Sequence, residues 1–137
     1  MAQQESERLR RADRVRLRPE FERAYDTGIR IHGRLMTLLV VPNSGATPRL
    51  GVAATRKLGS AVERNRAKRR AREVFRRHKV PAGLDIIIVP RREMLDAPFS
   101  SVEADFLGAL ERRHHQHPRT RSSGGRRGRT ARPASRV

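Results

Sequence analysis

The chain of 137 residues has no cysteine, no tryptophan and only five aromatic residues. Without thiols it forms neither disulfides nor thiolate metal sites, which fits a reducing compartment. Acids are scarce as well, 14 against 32 lysines and arginines. Asp26, Asp85, Asp96 and Asp105 are scattered without metal-ligand spacing, so no catalytic residue and no metal site is read within the chain. No apolar run approaches the length of a membrane span, and the start MAQQESERLRR lacks the apolar core of a secretory signal. A cytoplasmic protein is expected. No repeat of solenoid or propeller period occurs.

What is present is positive charge. The net charge is +18 and the isoelectric point about 11.9. Such a chain repels itself unless it meets a polyanion. Nucleic acid is the first candidate and an anionic membrane surface the second. Only Lys57, Lys68 and Lys79 are lysines. The arginine excess suits bidentate phosphate contacts, although a biased genome composition would produce it too.

The densest stretch is Arg56–Arg76, RKLGSAVERNRAKRRAREVFR, in which only Glu63 and Glu73 oppose the cations. At about 100° per residue, Ala67, Ala71, Val74, Phe75 and His78 share one arc. Asn65, Lys68, Arg69, Arg72 and Arg76 form a stripe beside it. Arg66, Arg70 and Arg77 point a third way, close to Glu73. This predicts a helix that buries one face and offers an ordered cationic stripe to RNA. Asn65, uncharged, can serve a sugar, a base edge or its own helix start. Ser60 is read as the N-cap and Gly59 as the hinge of the entering loop.

Elsewhere the pattern predicts a helix over Pro19–Thr27 stopped by Gly28, with Phe21 and Tyr25 on one face. The pair is either core or a platform on which unpaired bases stack. Strands are expected at Ile29–Ile31, Leu35–Val41, Leu50–Thr55 and Leu84–Val89, the second and third joined as an antiparallel hairpin through the turn-rich loop from Pro42 to Pro48. The small residues Gly51, Ala53 and Ala54 allow close approach of a helix or ligand. Ser100 and Glu103 are spaced as a capping box for a last helix. Leu9, Val15 and Leu17 alternate with arginines as an extended segment laid on the domain. His32 and His78 show no evident partners.

The fold class is therefore α+β, one small domain with a sheet of about four strands in the order α-β-β-β-α-β-α. The expected boundaries are a flexible arm at 1–8, an RNA-binding domain at 9–113 and a disordered basic tail at 114–137. Seven arginines and no acid lie in that tail, and the rest of the chain still carries +11. His114, His115 and His117 are spaced like metal ligands, but nothing rigid orients them, so they are read as part of a polar tail.

Phe21-Glu22-Arg23-Ala24-Tyr25 followed by Gly28, and then the run from Arg56 to Arg69 with Arg64-Asn65-Arg66 at its centre, resemble the bacterial ribonuclease P protein subunit. The resemblance spans roughly Leu9 to Arg112. It implies the small partner of a catalytic RNA that removes the 5′ leader from precursor tRNA. That RNA carries the active site and its Mg2+, and the protein alone binds no cofactor and cuts nothing. Precursor tRNA would be a second partner, with neither DNA nor membrane involved. Phe21 and Tyr25 would line the cleft for the leader, with Lys57 on the loop nearby. Arg64, Asn65, Arg66, Lys68, Arg69 and Arg72, with Arg76 on the same stripe, would meet RNA. The resemblance also implies a left-handed strand–helix–strand crossover, against the usual hand. One departure stands out. Family members often carry a cleft-facing aromatic in the central strand, and this strand reads Leu38-Leu39-Val40.

Three other functions compete. A ribosomal or general RNA-binding protein would need no leader cleft. A duplex-DNA module lacks the helix-turn-helix partner it would require. A metal-dependent nuclease lacks grouped carboxylates.

Overall fold

The computed structural model describes residues 13–45 and 47–115. The expected 1–8 arm, Leu9, and the tail from residue 116 onward with His117 lie outside them. Helix α1 (Arg18–Thr27) is followed by strands β1 (Ile29–His32), β2 (Met36–Pro42) and β3 (Arg49–Val52). Helix α2 (Ala61–Arg77), strand β4 (Leu84–Pro90) and helix α3 (Phe99–Arg112) complete the domain. Short 3-10 turns occupy Arg56–Leu58, Arg92–Leu95 and Arg113–His115. The class and the order of elements are those expected.

Local chemistry sets several boundaries. Pro19 falls in the first turn of α1, where its missing N–H costs nothing, and Glu20 accepts a hydrogen bond from the Leu17 amide at 3.3 Å. The helix ends where the Gly28 amide donates back to the Ala24 carbonyl at 3.0 Å. At α2 the cap is reciprocal. The Glu63 amide donates to Ser60 Oγ at 3.2 Å, and the Ser60 amide donates to Glu63 Oε1 at 2.9 Å. The expected box at Ser100 does not form. Pro98, with its φ fixed near the required value, opens α3 instead, and Glu103 faces His78 Nε2 at 3.1 Å. His78 thus has a partner, and so has His32, whose Nδ1 lies 3.3 Å from Thr37 Oγ1.

The strand order is β1-β2-β4-β3. The expected hairpin between the second and third strands is absent, because β4 lies between them, antiparallel to β2 and parallel to β3. The physical reason is burial. β4 carries Ile86, Ile87 and Ile88, all fully buried, and a strand apolar on both faces belongs in the middle of a sheet. β3, short and with a glycine at its centre, takes the edge. Val15 covers that edge by donating its amide to the Leu50 carbonyl at 2.8 Å. Val15 is buried as expected, but Leu17 is 57% exposed and does not join it.

Each face of the sheet has its own core. Met36, Leu38, Val40, Ile86 and Ile88 pack against Val74 and Phe75 of α2 and Val102 and Phe106 of α3. Leu39, Val41 and Ile87 lie under α1, against Ala24. At the end of the second face sits Asp85, the one buried charged residue among those described. Its carboxylate accepts from Asn43 Nδ2 at 2.7 Å, Arg49 Nε at 2.9 Å and Arg49 Nη2 at 2.8 Å. Arg49 also reaches Glu20 at 3.0 Å and so ties α1 to the sheet. Replacing Asp85 with alanine strands Arg49 and Asn43. It should lower the unfolding free energy by roughly 1.5–3 kcal/mol, seen as an earlier urea midpoint with an unchanged slope.

Candidate nucleic-acid interface

The faces of α2 follow the helical wheel. Ala67, Ala71, Val74 and Phe75 are buried against the sheet and α3. Asn65, Arg66 and Arg69 are exposed, while Lys68 and Arg72 are half-buried. The cations then divide by what they already hold. Arg76 and Arg77 both bond to Glu73. Arg70 donates to the Ala97 carbonyl, and the guanidinium groups of Arg70 and Arg77 lie 5.9 and 5.2 Å from the centre of the Phe99 ring. That side of the helix grips the entry to α3. Lys68, Arg69 and Arg72 have no acid partner among the described residues.

The loop entering α2 carries Arg56 and Lys57, both exposed, on a 3-10 turn whose Leu58 is buried beside Ala67 and Leu95. Gly59 has φ 150°, in the region that favours glycine. Arg64, the first arginine of the signature, is half-buried and donates from Nη1 to the Gly59 carbonyl at 3.1 Å. Its first task is therefore to close the loop. The Ser60 amide, and then Arg92, hold the Glu63 carboxyl below the usual carboxylate range.

Helix α1 crosses the other face of the sheet. At its start Phe21 lies over β3, where a Cβ on Gly51 would stand 3.0 Å from the ring tip and 2.8 Å from Ile87 Cδ1. At its end Gly28 meets Val41. The small residue at 51 thus serves the approach of Phe21. Between α1, the β3 edge and α2 runs a cleft of about 250 Å3, lined by Arg14, Arg16, Phe21, Lys68 and Arg72 together with Gly51 and its neighbours. Burial, and then the Arg14 guanidinium, push the pKa of Arg72 down. An anion entering the cleft would offset the repulsion between the two guanidinium groups and favour the charged form of Arg72. Tyr25, one turn beyond Phe21, is half-buried beside Leu39, Val41 and Ile87, and burial pushes its phenol up from the ordinary 10.0.

Phe21, Lys68 and Arg72 therefore come together, with Tyr25 adjacent on α1. Lys57, Asn65, Arg66 and Arg69 form the outer surface beside them. Leu39 is 1% exposed and offers no surface to a base, so the strand that lacks an aromatic contributes only floor. A larger hollow of about 540 Å3, lined by Glu20, Arg23, Asn43 and Arg49 among others, lies at the end of the sheet where Asp85 sits. Its arginines are already committed to Pro42, Asp85 and Glu20. Sequence reasoning missed Arg14 and Arg16 as cleft walls, although their alternation about Val15 was the signal. It also missed Arg92, for which no local signal exists. Among the described residues no three of His, Asp or Glu are gathered to hold a metal ion.

The family model for Ribonuclease P matches residues 9–114. Among similar proteins, the ribonuclease P protein component of Oleidesulfovibrio alaskensis is 39% identical over 90 residues, covering 63% of this chain and 72% of that protein. The component from Thermotoga maritima is 34% identical over 113 residues, covering 78% and 97%. Two solved structures have the same fold. The RNase P protein from Thermotoga maritima superposes with a TM-score of 0.66 at 34% identity, covering 72% of this chain and 96% of that one. The Staphylococcus aureus RNase P protein gives 0.66 at 30% identity, covering 74% and 94%. A cationic stripe beside an aromatic cleft, on a fold and a sequence shared with these proteins, places the chain in the ribonuclease P protein family.

Proposed function

We propose that this chain is the protein subunit of ribonuclease P and works by holding two RNAs side by side. The outer surface of α2, with Asn65, Arg66 and Arg69 and the neighbouring Lys57, takes the catalytic RNA. The cleft takes the single-stranded 5′ leader of precursor tRNA. The observation that carries this reading is the shared wall. Phe21 stands on one side of the cleft, and Lys68 and Arg72, from the same helix that bears the signature, stand on the other. A leader lying there has bases beside Phe21 and Tyr25 and phosphates beside two cations without acid partners. Stacking on an aromatic side chain supplies roughly 1–3 kcal/mol per base without demanding a sequence. Arginine and lysine supply the salt-dependent part.

The protein's contribution is positional. By fixing the leader against the helix that grips the catalytic RNA, it prepays the entropy of bringing the scissile bond to the RNA's active site. The Mg2+ that activates water and stabilises the leaving oxygen belongs to that RNA site.

Reconstitution with a bacterial ribonuclease P RNA tests the whole proposal. The chain should permit cleavage of precursor tRNA at a Mg2+ concentration where the RNA alone is nearly inactive, and no gain at any Mg2+ concentration would refute it. Protein free of RNA should leave precursor tRNA intact.

Variants separate the two surfaces. Lys68→Ala and Arg72→Ala should weaken binding of substrate with a leader more than binding of mature tRNA. Each should also flatten the salt dependence by about one counterion. Arg69→Ala should act on the catalytic RNA instead. Tyr25→Ala should cost roughly 1–3 kcal/mol for substrate with a leader, and an equal loss for mature tRNA would make Tyr25 structural.

Tyr25 is the only tyrosine, and the chain has no tryptophan, so its absorbance near 295 nm reports on the cleft alone. Burial disfavours the phenolate, so the free folded protein should titrate above 10.0. A midpoint at or below that value would mean that burial does not outweigh the opposing pull of Arg30.

A further inference from the structure

Helix α2 meets RNA, yet its first turn carries a carboxylate. A helix N-terminus is a ready place for a phosphate, and Glu63 occupies it. An acid there works against RNA binding unless it does something the helix needs. The geometry shows what. Glu63 Oε1 accepts from the Ser60 amide at 2.9 Å, and Oε2 lies 3.2 Å from Arg92 Nη2. Arg92 Nη1 in turn donates to the Leu58 carbonyl at 2.6 Å. From the helix side Arg64 holds the Gly59 carbonyl. Three successive backbone groups, at Leu58, Gly59 and Ser60, are thus held by side chains from α2 and from the turn after β4. The clamp lies directly over Gly59. A Cβ at that position would stand 2.0 Å from Glu63 Oε1 and 2.9 Å from Arg92 Nη1. Beneath it Leu58 is buried, and immediately before it Arg56 and Lys57 project into solvent without acid partners among the described residues.

We propose that Glu63 and Arg92 are positioning residues, a clamp that sets the Arg56–Lys57 turn in its RNA-binding conformation before RNA arrives. The contact itself falls to Arg56 and Lys57. Arg92 is largely in water and Glu63 partly so, so the pair contributes little to stability and acts on geometry. Its benefit is preorganisation, because a turn already ordered does not lose that freedom on binding. The clamp also joins the two ends of the crossover, the loop that enters α2 and the chain that leaves β4. This role rests on the proposed function, since it assumes that the turn meets the catalytic RNA.

The test exploits a sign. Charge alone predicts that Glu63→Gln, which removes an acid from a cationic surface, binds ribonuclease P RNA more tightly. The clamp predicts binding weaker by about three- to tenfold, the scale of ordering one rotamer-rich element on binding. Arg92→Gln should weaken binding similarly, and the double variant should lose no more than the worse single one. Amide hydrogen exchange on the free protein gives a second readout. Residues 57–60 should exchange faster in both single variants, with β2, β4 and the middle of α2 unchanged. Tighter or equal binding by Glu63→Gln, or unchanged exchange at 57–60, overturns the clamp. Faster exchange throughout the sheet would mean a general loss of fold and would overturn it too. If the wild-type chain fails to support precursor cleavage, the proposed function falls, while exchange at 57–60 still decides whether the clamp exists.

Discussion

The parallel pairing of β3 with β4 is the constraint from which the rest follows. Two parallel neighbours cannot be joined by a tight turn, so the chain between them must cross the sheet. That crossing is α2. Because the helix spans β3 and β4, Ala67, Ala71, Val74 and Phe75 must face inward, and the cations are left on the arcs that remain. Because β3 is the edge strand, the cleft beside it is lined by α2 on one side and by Phe21 of α1 on the other, near Gly51. A cationic wall opposite Phe21 is thus a consequence of topology. It needed no cleft-specific element.

The net charge of +18 conceals a division of labour among the arginines. Arg49 neutralises buried Asp85 and anchors α1. Arg70 and Arg77 flank Phe99 and fix the start of α3. Arg23, Arg112 and Arg113 each donate to a backbone carbonyl. These residues serve the fold, and their charge is largely spent on local acceptors. Among the described residues, Arg56, Lys57, Arg66, Lys68, Arg69 and Arg72 have no acid partner and lie together on one helix and its entry loop. A polyanion therefore meets a shaped field, in which position matters as well as sum.

Much of this was legible in the chain because it is local. The buried arc of α2 follows from a period of 3.6 residues, and its cap follows from Ser60 and Glu63 three apart. The strand partners were not legible. Leu35–Val41 and Leu84–Val89 are similar apolar runs, and nothing within Leu50–Thr55 says which will lie beside it. Proximity in sequence suggested a hairpin, but the burial demand of three consecutive isoleucines placed β4 in between. Ser100 and Glu103 had the right spacing, yet Pro98 and the tertiary partner His78 decided the outcome. Arg92 was invisible for the same reason, since its meaning depends on a carbonyl 34 residues away at Leu58.

The strand that lacks an aromatic shows how such a cleft tolerates change. Leu39 lies opposite Ile87 and under α1, so its buried side chain completes the core that supports Tyr25. An aromatic at that position would have to share the space with α1. Leucine fills the floor, and on the proposed function stacking falls to α1, where Phe21 and Tyr25 are held by i, i+4 spacing on one rigid face. On the proposed function, the grip on the leader depends on a helix packed over one face of the sheet, apart from the crossover that presents Lys68 and Arg72. The proposed base contacts and phosphate contacts reside on separate helices, α1 and α2, on opposite faces of the sheet.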